Sequence, residues 1–264
     1  MTATDAPSPQ PPAPAVLPIR TAGIGPKAST ALWVEYRLIL RSVATKGRIA
    51  AVTALAGIAV ITGVAKHASN PYHSLDAGVG FASNMLLYIV PVAVLVFGAA
   101  TIGDLVDDGS LVYLWLRPVA TWVHVVAAWA ATVTITVPLV IVPIVLSTAV
   151  IDSTNALLVG TIGGGLVAVA AYAALFVTAG IRFRRALPWG LVYILIWEGF
   201  VAAAGKGAAK LAVRSYVASI LARETDIKIK LANFTMASAI IVPLVAAVVC
   251  LAYASRRLAR SDVA

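Results

Sequence analysis

Six apolar runs, at approximately 49–65, 82–103, 122–147, 156–180, 188–204 and 235–254, dominate the chain. Each is close to the ~20 residues that an α-helix needs to cross ~30 Å of hydrocarbon. A lipid interior offers backbone amides no water, and a helix satisfies them within the segment. The spacing therefore predicts an all-α, polytopic membrane protein with six transmembrane helices. Composition agrees, with 61% hydrophobic and 12% charged residues against roughly 25% charged in soluble domains. The third run is overlong and carries Pro138 and Pro143, which predicts a kink or break near its outer end. The fifth is short and holds Glu198. A carboxylate at mid-helix costs ~3 kcal/mol, about what Leu191, Val192, Ile194, Leu195, Ile196, Phe200 and Val201 together contribute, so this span needs help from neighbouring helices.

The flanks divide the chain further. Residues 1–27 hold Pro7, Pro9, Pro11, Pro12, Pro14, Pro18 and Pro26 with almost no apolar periodicity, the pattern of a disordered cytoplasmic tail. A basic start, an apolar stretch and a small-residue cleavage site are missing there, so it does not read as a signal peptide. Over 28–48, Leu32, Tyr36, Ile39 and Val43 share one helical face while Arg37, Arg41, Thr45 and Arg48 follow the opposite one, predicting an interfacial amphipathic helix. Residues 49–254 form the six-helix domain, and 255–264 a second cytoplasmic tail.

Orientation follows from the basic residues. With both termini inside, thirteen of the 20 lysines and arginines face the cytoplasm and seven the outside. Six of those seven crowd into Lys206 to Lys230. There Lys206, Lys210 and Arg214 oppose Val213, Val217, Ile220 and Leu221, predicting a short amphipathic helix on the outer surface. The net charge of +9 is split among clusters between apolar runs, which suits anionic lipid headgroups rather than nucleic acid.

Catalytic and metal signatures are missing from the sequence. It has no H-E-x-x-H helix, no G-x-S-x-G elbow and no His, Cys and carboxylate cluster at ligand spacing. His67, His73 and Asp76 fall in an expected outer loop, where scattered residues are more often solvated than metal-bound. Gly205-Lys206 lacks the upstream glycine spacing and the Ser or Thr of a phosphate loop. Cys250, the single cysteine, lies in the last run and reads as packing. Gly160 and Gly164, four apart, let another helix approach closely and read as a seam within the chain before a dimer interface. Trp33, Trp122 and Trp189 sit near span ends, as a headgroup belt requires. Trp129 and Trp197 lie deeper and could line a path, although lipid-facing or packed positions are commoner for such residues.

The residues with most functional content lie between the second and third runs. Asp104, Asp107 and Asp108 form an acidic turn, Gly109 and Ser110 follow, and Leu111, Leu114 and Trp115 make a stripe before Arg117 and Pro118. Carboxylates favour the positive N-terminal end of a helix, Ser110 or Asp108 can cap its amides, and Pro118 ends it. The result is a short interfacial helix able to dock a partner through Leu111, Leu114 and Trp115. Anchoring of the same side chains in the inner headgroup layer is the competing reading. For Glu198 two readings stay open: a hydrogen bond from the outer end of its span to a neighbouring helix or to the outer amphipathic segment, or a place in a transport path.

The order of acidic turn, Gly109-Ser110-Leu111, Leu114-Trp115-Leu116 and Arg117-Pro118-Val119 before a long apolar helix resembles the segment after the second span in ABC transporter permeases of the exporter-like, six-span (type-2) family. Leu187-Pro188, Leu191-Val192-Tyr193 and Trp197-Glu198-Gly199 look like that family's fifth span. The family often has Thr where Ser110 stands and a basic residue where Thr121 stands. The resemblance implies a cytoplasmic coupling helix that includes Asp107, Asp108, Gly109, Ser110, Leu111, Leu114, Trp115 and Arg117. It also implies a second permease, as homodimer or heterodimer, and cytoplasmic ABC ATP-binding subunits. The chain itself would hold no cofactor and no catalytic residue; ATP and Mg would belong to the partner ATPase. The expected setting is the bacterial cytoplasmic (inner) membrane, with lipids as the other partner, and the expected cargo a lipid-like or amphipathic compound. A non-transporting membrane scaffold or assembly subunit is the alternative.

Overall fold

The structure, a computed structural model, describes residues 28–69, 74–107, 119–183, 185–201 and 206–260, and every regular element among them is helical. Helix α1 (Ala28–Val43) leads directly into α2 (Lys46–Ser69). Helix α3 runs from Leu75–Asn84 through a π-helical turn at Met85–Ile89 into Val90–Asp107. Helix α4 joins Thr121–Thr136, a π-helical turn at Val137–Ile141, and Val142–Ile151. Then come α5 (Asn155–Arg182), α6 (Ala186–Val201, π-helical from Tyr193), α7 (Lys206–Ala209), α8 (Val213–Thr225) and α9 (Met236–Arg260).

Five of these, α2, α3, α4, α5 and α9, are long and apolar enough to cross a membrane. The fifth apolar run gives only the shorter α6, which at ~1.5 Å per residue reaches about 24 Å, less than the ~30 Å hydrocarbon core. The proline-containing third run is neither broken nor terminated. Pro138 sits inside the π-helical turn, where the widened hydrogen-bond pattern absorbs its missing N–H and the helix continues. Helix α3 begins seven residues before its apolar run, because Ser74 caps it: the Ala77 amide donates to Ser74 Oγ at 3.3 Å. Asp76 therefore lies in the first turn of α3 and His67 in the last turn of α2, not in a loop, while His73 lies outside the described residues.

The core is built around α5, which packs against α3, α4, α8 and α9. Tyr172 and Phe176 of α5 and Phe97 of α3 are fully buried at its centre. Small residues set the helix spacing. The Gly160–Gly164 seam closes on α8 of the same chain: a methyl at Gly160 would meet Leu221 and Glu224, one at Gly164 would meet Leu86 and Val217. At the other end of α5, a methyl at Gly180 would lie 2.8 Å from the Ala99 carbonyl oxygen, so α3 and α5 touch backbone to backbone. The outward faces carry Ile58, Ile61 and Val64 of α2, Leu146 of α4, and Val245, Val248 and Val249 of α9, all exposed. Apolar surface this continuous needs lipid, not water, around it. Trp33, Trp122 and Trp189 are likewise exposed at helix ends.

Gly180→Ala should push α5 off α3 and destabilise the bundle by about 1–3 kcal/mol. At Gly57, with open space around the added methyl, the same change should be neutral or stabilising by up to ~1 kcal/mol. Thermal unfolding of the two variants in one detergent checks this; equal midpoints would contradict the backbone contact.

Candidate functional site

Helix α6 starts as an ordinary α-helix and widens at Tyr193. The i→i+5 pattern of a π-helix brings residues five apart over one another. The Tyr193 hydroxyl accordingly donates to Glu198 Oε1 at 2.9 Å. Glu198 is 1% exposed, and a carboxylate taken out of water is costly unless donors fill its lone pairs.

The remaining donors come from the start of α8. Ala212, extended, precedes that helix and supplies no side-chain cap, so its first amides need an acceptor from elsewhere. The Val213 amide donates to Glu198 Oε1 and the Arg214 amide to Glu198 Oε2, both at 3.1 Å. Glu198 thus caps α8 from another helix, where negative charge also meets the positive end of the helix dipole. Arg214, 8% exposed, folds back: one guanidinium nitrogen donates to the Glu198 carbonyl oxygen at 3.2 Å, another to the Tyr88 hydroxyl at 2.7 Å. The guanidinium carbon stands 4.5 Å from the centroid of the Tyr88 ring, a cation–π distance. Tyr88 belongs to the π-helical turn of α3, so both π-helical segments that carry an aromatic hydroxyl converge here. Tyr172 of α5 completes the pocket.

This geometry corrects the expectation for Lys206 to Arg214. Helix α8 does not lie on the surface with Arg214 toward water; Tyr216, Val217, Ala218, Ile220 and Leu221 are buried against α5 and α9, and Arg214 is buried with them. For Glu198, the bond to the 206–225 segment is present as the first of the two readings has it.

The docking stripe lies elsewhere. Asp108, Gly109, Ser110, Leu111, Leu114, Trp115 and Arg117 fall outside the described residues, and Asp107 is placed only as the last residue of α3. The helices on either side of that stretch, α3 and α4, pack on each other, and each also meets a further helix through polar side chains. Arg48 at the start of α2 pairs with Asp104 near the end of α3 at 2.6 Å. His124 Nδ1 in the first turn of α4 lies 3.0 Å from Glu35 Oε1 of α1, with both side chains buried, and the Thr121 and Ser255 hydroxyls stand 3.4 Å apart. Asp104 and His124, which flank residues 108–118 in sequence, thus both lie at the end of the bundle where α1 packs. Glu35 and His124 were not singled out from sequence; the signal was a lone acid in the Ala31, Glu35, Ile39, Val43 ladder that faces the core.

Among the described residues no group of three or more His, Cys, Asp and Glu side chains is placed to hold a metal ion. Comparison with protein-family models and with curated proteins finds none that matches this chain.

Glu198→Leu should strand two buried amides and the Tyr193 hydroxyl, costing about 3–5 kcal/mol. Glu198→Gln keeps one acceptor but turns an NH₂ toward an amide N–H, costing about 1–3 kcal/mol. Unfolding midpoints in detergent should fall in the order parent, Gln, Leu; two variants as stable as the parent would refute the cap.

Proposed function

We propose that the chain is the membrane-spanning permease subunit of an ATP-driven ABC transporter, working as a dimer with itself or a similar chain and driven by separate cytoplasmic ATPases. Its setting is the bacterial inner membrane with both termini cytoplasmic, and its cargo a lipid-like or amphipathic compound. The observation that carries the reading is positional. In sequence, the acidic turn and the Leu111, Leu114, Trp115 stripe fall between α3 and α4 of a bundle with five membrane-length helices. At the end where α1 packs, Glu35 of α1 and His124 of α4 are buried against each other. A push applied between α3 and α4 would move two long helices as rigid elements. The sequence has no nucleotide loop of its own, so the energy must enter through a partner. In this account α6 is the remaining crossing, shortened because α8 closes its outer part.

The test is a tagged chain isolated from native membranes in mild detergent. An ATP-binding subunit should copurify, and its hydrolysis should depend on this chain. The double variant Leu114→Ala, Trp115→Ala should insert normally yet retain the ATPase at least about tenfold less well, since a central aromatic anchor commonly contributes ~2 kcal/mol or more. An unchanged complex in that variant would favour headgroup anchoring, and no ATPase at all would favour the scaffold.

A further inference from the structure

A groove of about 290 Å³ opens on the side of the bundle between α5, α6 and α9, at the end where α5 terminates. Leu175, Phe176 and Ala179 of α5 form its floor, with Trp189 and Tyr193 of α6 on one wall and Tyr253 of α9 on the other. The Thr178 hydroxyl, which also lines it, donates to the Ala174 carbonyl at 2.6 Å within its own helix, so the lining is apolar in effect. The groove is smaller than the ~300–1,000 Å³ of sites that enclose a whole drug-sized ligand, and it suits a length of hydrocarbon chain.

One end of it is charged. Arg182 lies at the rim, its guanidinium 5.4 Å from the centroid of the Phe183 ring, and Phe183 stacks on Trp189 with centroids 6.0 Å apart. Arg256 and Arg257, both exposed, follow Tyr253 by three and four residues and so stand one turn further toward the same end. None of the groove's lining residues is acidic. An apolar slot, an aromatic belt at its mouth and arginines beyond match, in order, the acyl chain, the interface and the phosphate of an anionic lipid.

We propose that this groove binds one acyl chain of an anionic phospholipid from the surrounding leaflet, with the phosphate held by Arg182. The proposal needs the chain to lie in a bilayer but not the transporter reading, so either can fail alone. Charge complementarity names the occupant: a zwitterionic lipid would bring its own cation to a rim that already carries Arg182, with Arg256 and Arg257 one turn beyond.

Trp189 lines the groove and reports on it. The full chain is reconstituted in phosphatidylcholine bilayers, and the Trp189 emission is obtained by difference from the Trp189→Phe variant. Quenching by brominated phosphatidylglycerol is compared with quenching by brominated phosphatidylcholine. The anionic lipid should show a roughly fivefold higher relative binding constant, as about one well-placed cation provides, and the preference should shrink with added salt. Arg182→Gln should bring the ratio close to one, Arg182→Lys should keep most of it, and Ala179→Phe should fill the slot and lower quenching by both lipids. Equal quenching by the two lipids in the unmodified chain would identify ordinary annular lipid and overturn the proposal. So would a preference that survives both Arg182→Gln and high salt.

Discussion

A buried carboxylate must be saturated with donors, and in this chain that requirement ties α6, α8 and α3 together in the bundle interior. Glu198 interrupts an apolar helix that is already short. The π-helical widening at Tyr193 brings one hydroxyl to it, and the open N-terminus of α8 brings two amides. Each partner solves the other's problem. Helix α8 lacks a local cap, and α6 lacks a way to hold a charge; apart, each would leave polar groups unpaired in an apolar setting. Arg214 then ties the pair to α3 through Tyr88. Three helices are thereby held together through Glu198 and Arg214.

The end where α1 packs is organised by pairs of a different kind. Arg48–Asp104 is partly exposed and worth little as an isolated surface bridge, whereas Glu35–His124 is buried between α1 and α4. Along the helices, small residues decide the spacing. Glycines at 160 and 164 admit α8, and Gly180 admits the backbone of α3. The aromatic residues Tyr172, Phe176 and Phe97 fill what remains. With no hydrophobic drive between helices in lipid, such close packing and these few polar links carry the specificity of the fold.

The helices themselves were legible in the sequence because burial in lipid demands length and continuous hydropathy, and both can be read from a string. Amphipathicity likewise placed α1, although its core face is Ala31, Glu35, Ile39 and Val43, with Leu32 and Tyr36 only partly buried. What misled was charge. Lys206, Lys210 and Arg214 at four-residue spacing look like a solvated stripe, and a regular stripe normally is one. Here Arg214 is drawn inward by the Glu198 carbonyl and the Tyr88 ring, partners that lie 16 and 126 residues away in sequence. Glu198 itself was visible as an anomaly in an apolar run, but its donors are main-chain amides, which no residue pattern marks. The docking stripe is the reverse case, explicit in the residues yet outside what the structure describes.

Hydrogen–deuterium exchange of the chain in a lipid bilayer tests most directly whether α8 is a buried element held by Glu198. Amides from Val213 to Leu221 should exchange as slowly as those in the middle of α5, and Glu198→Leu should accelerate that segment far more than α5. Exchange in the unmodified chain as fast as at an exposed helix end, with no effect of Glu198→Leu, would place α8 on the surface and contradict this account of the bundle.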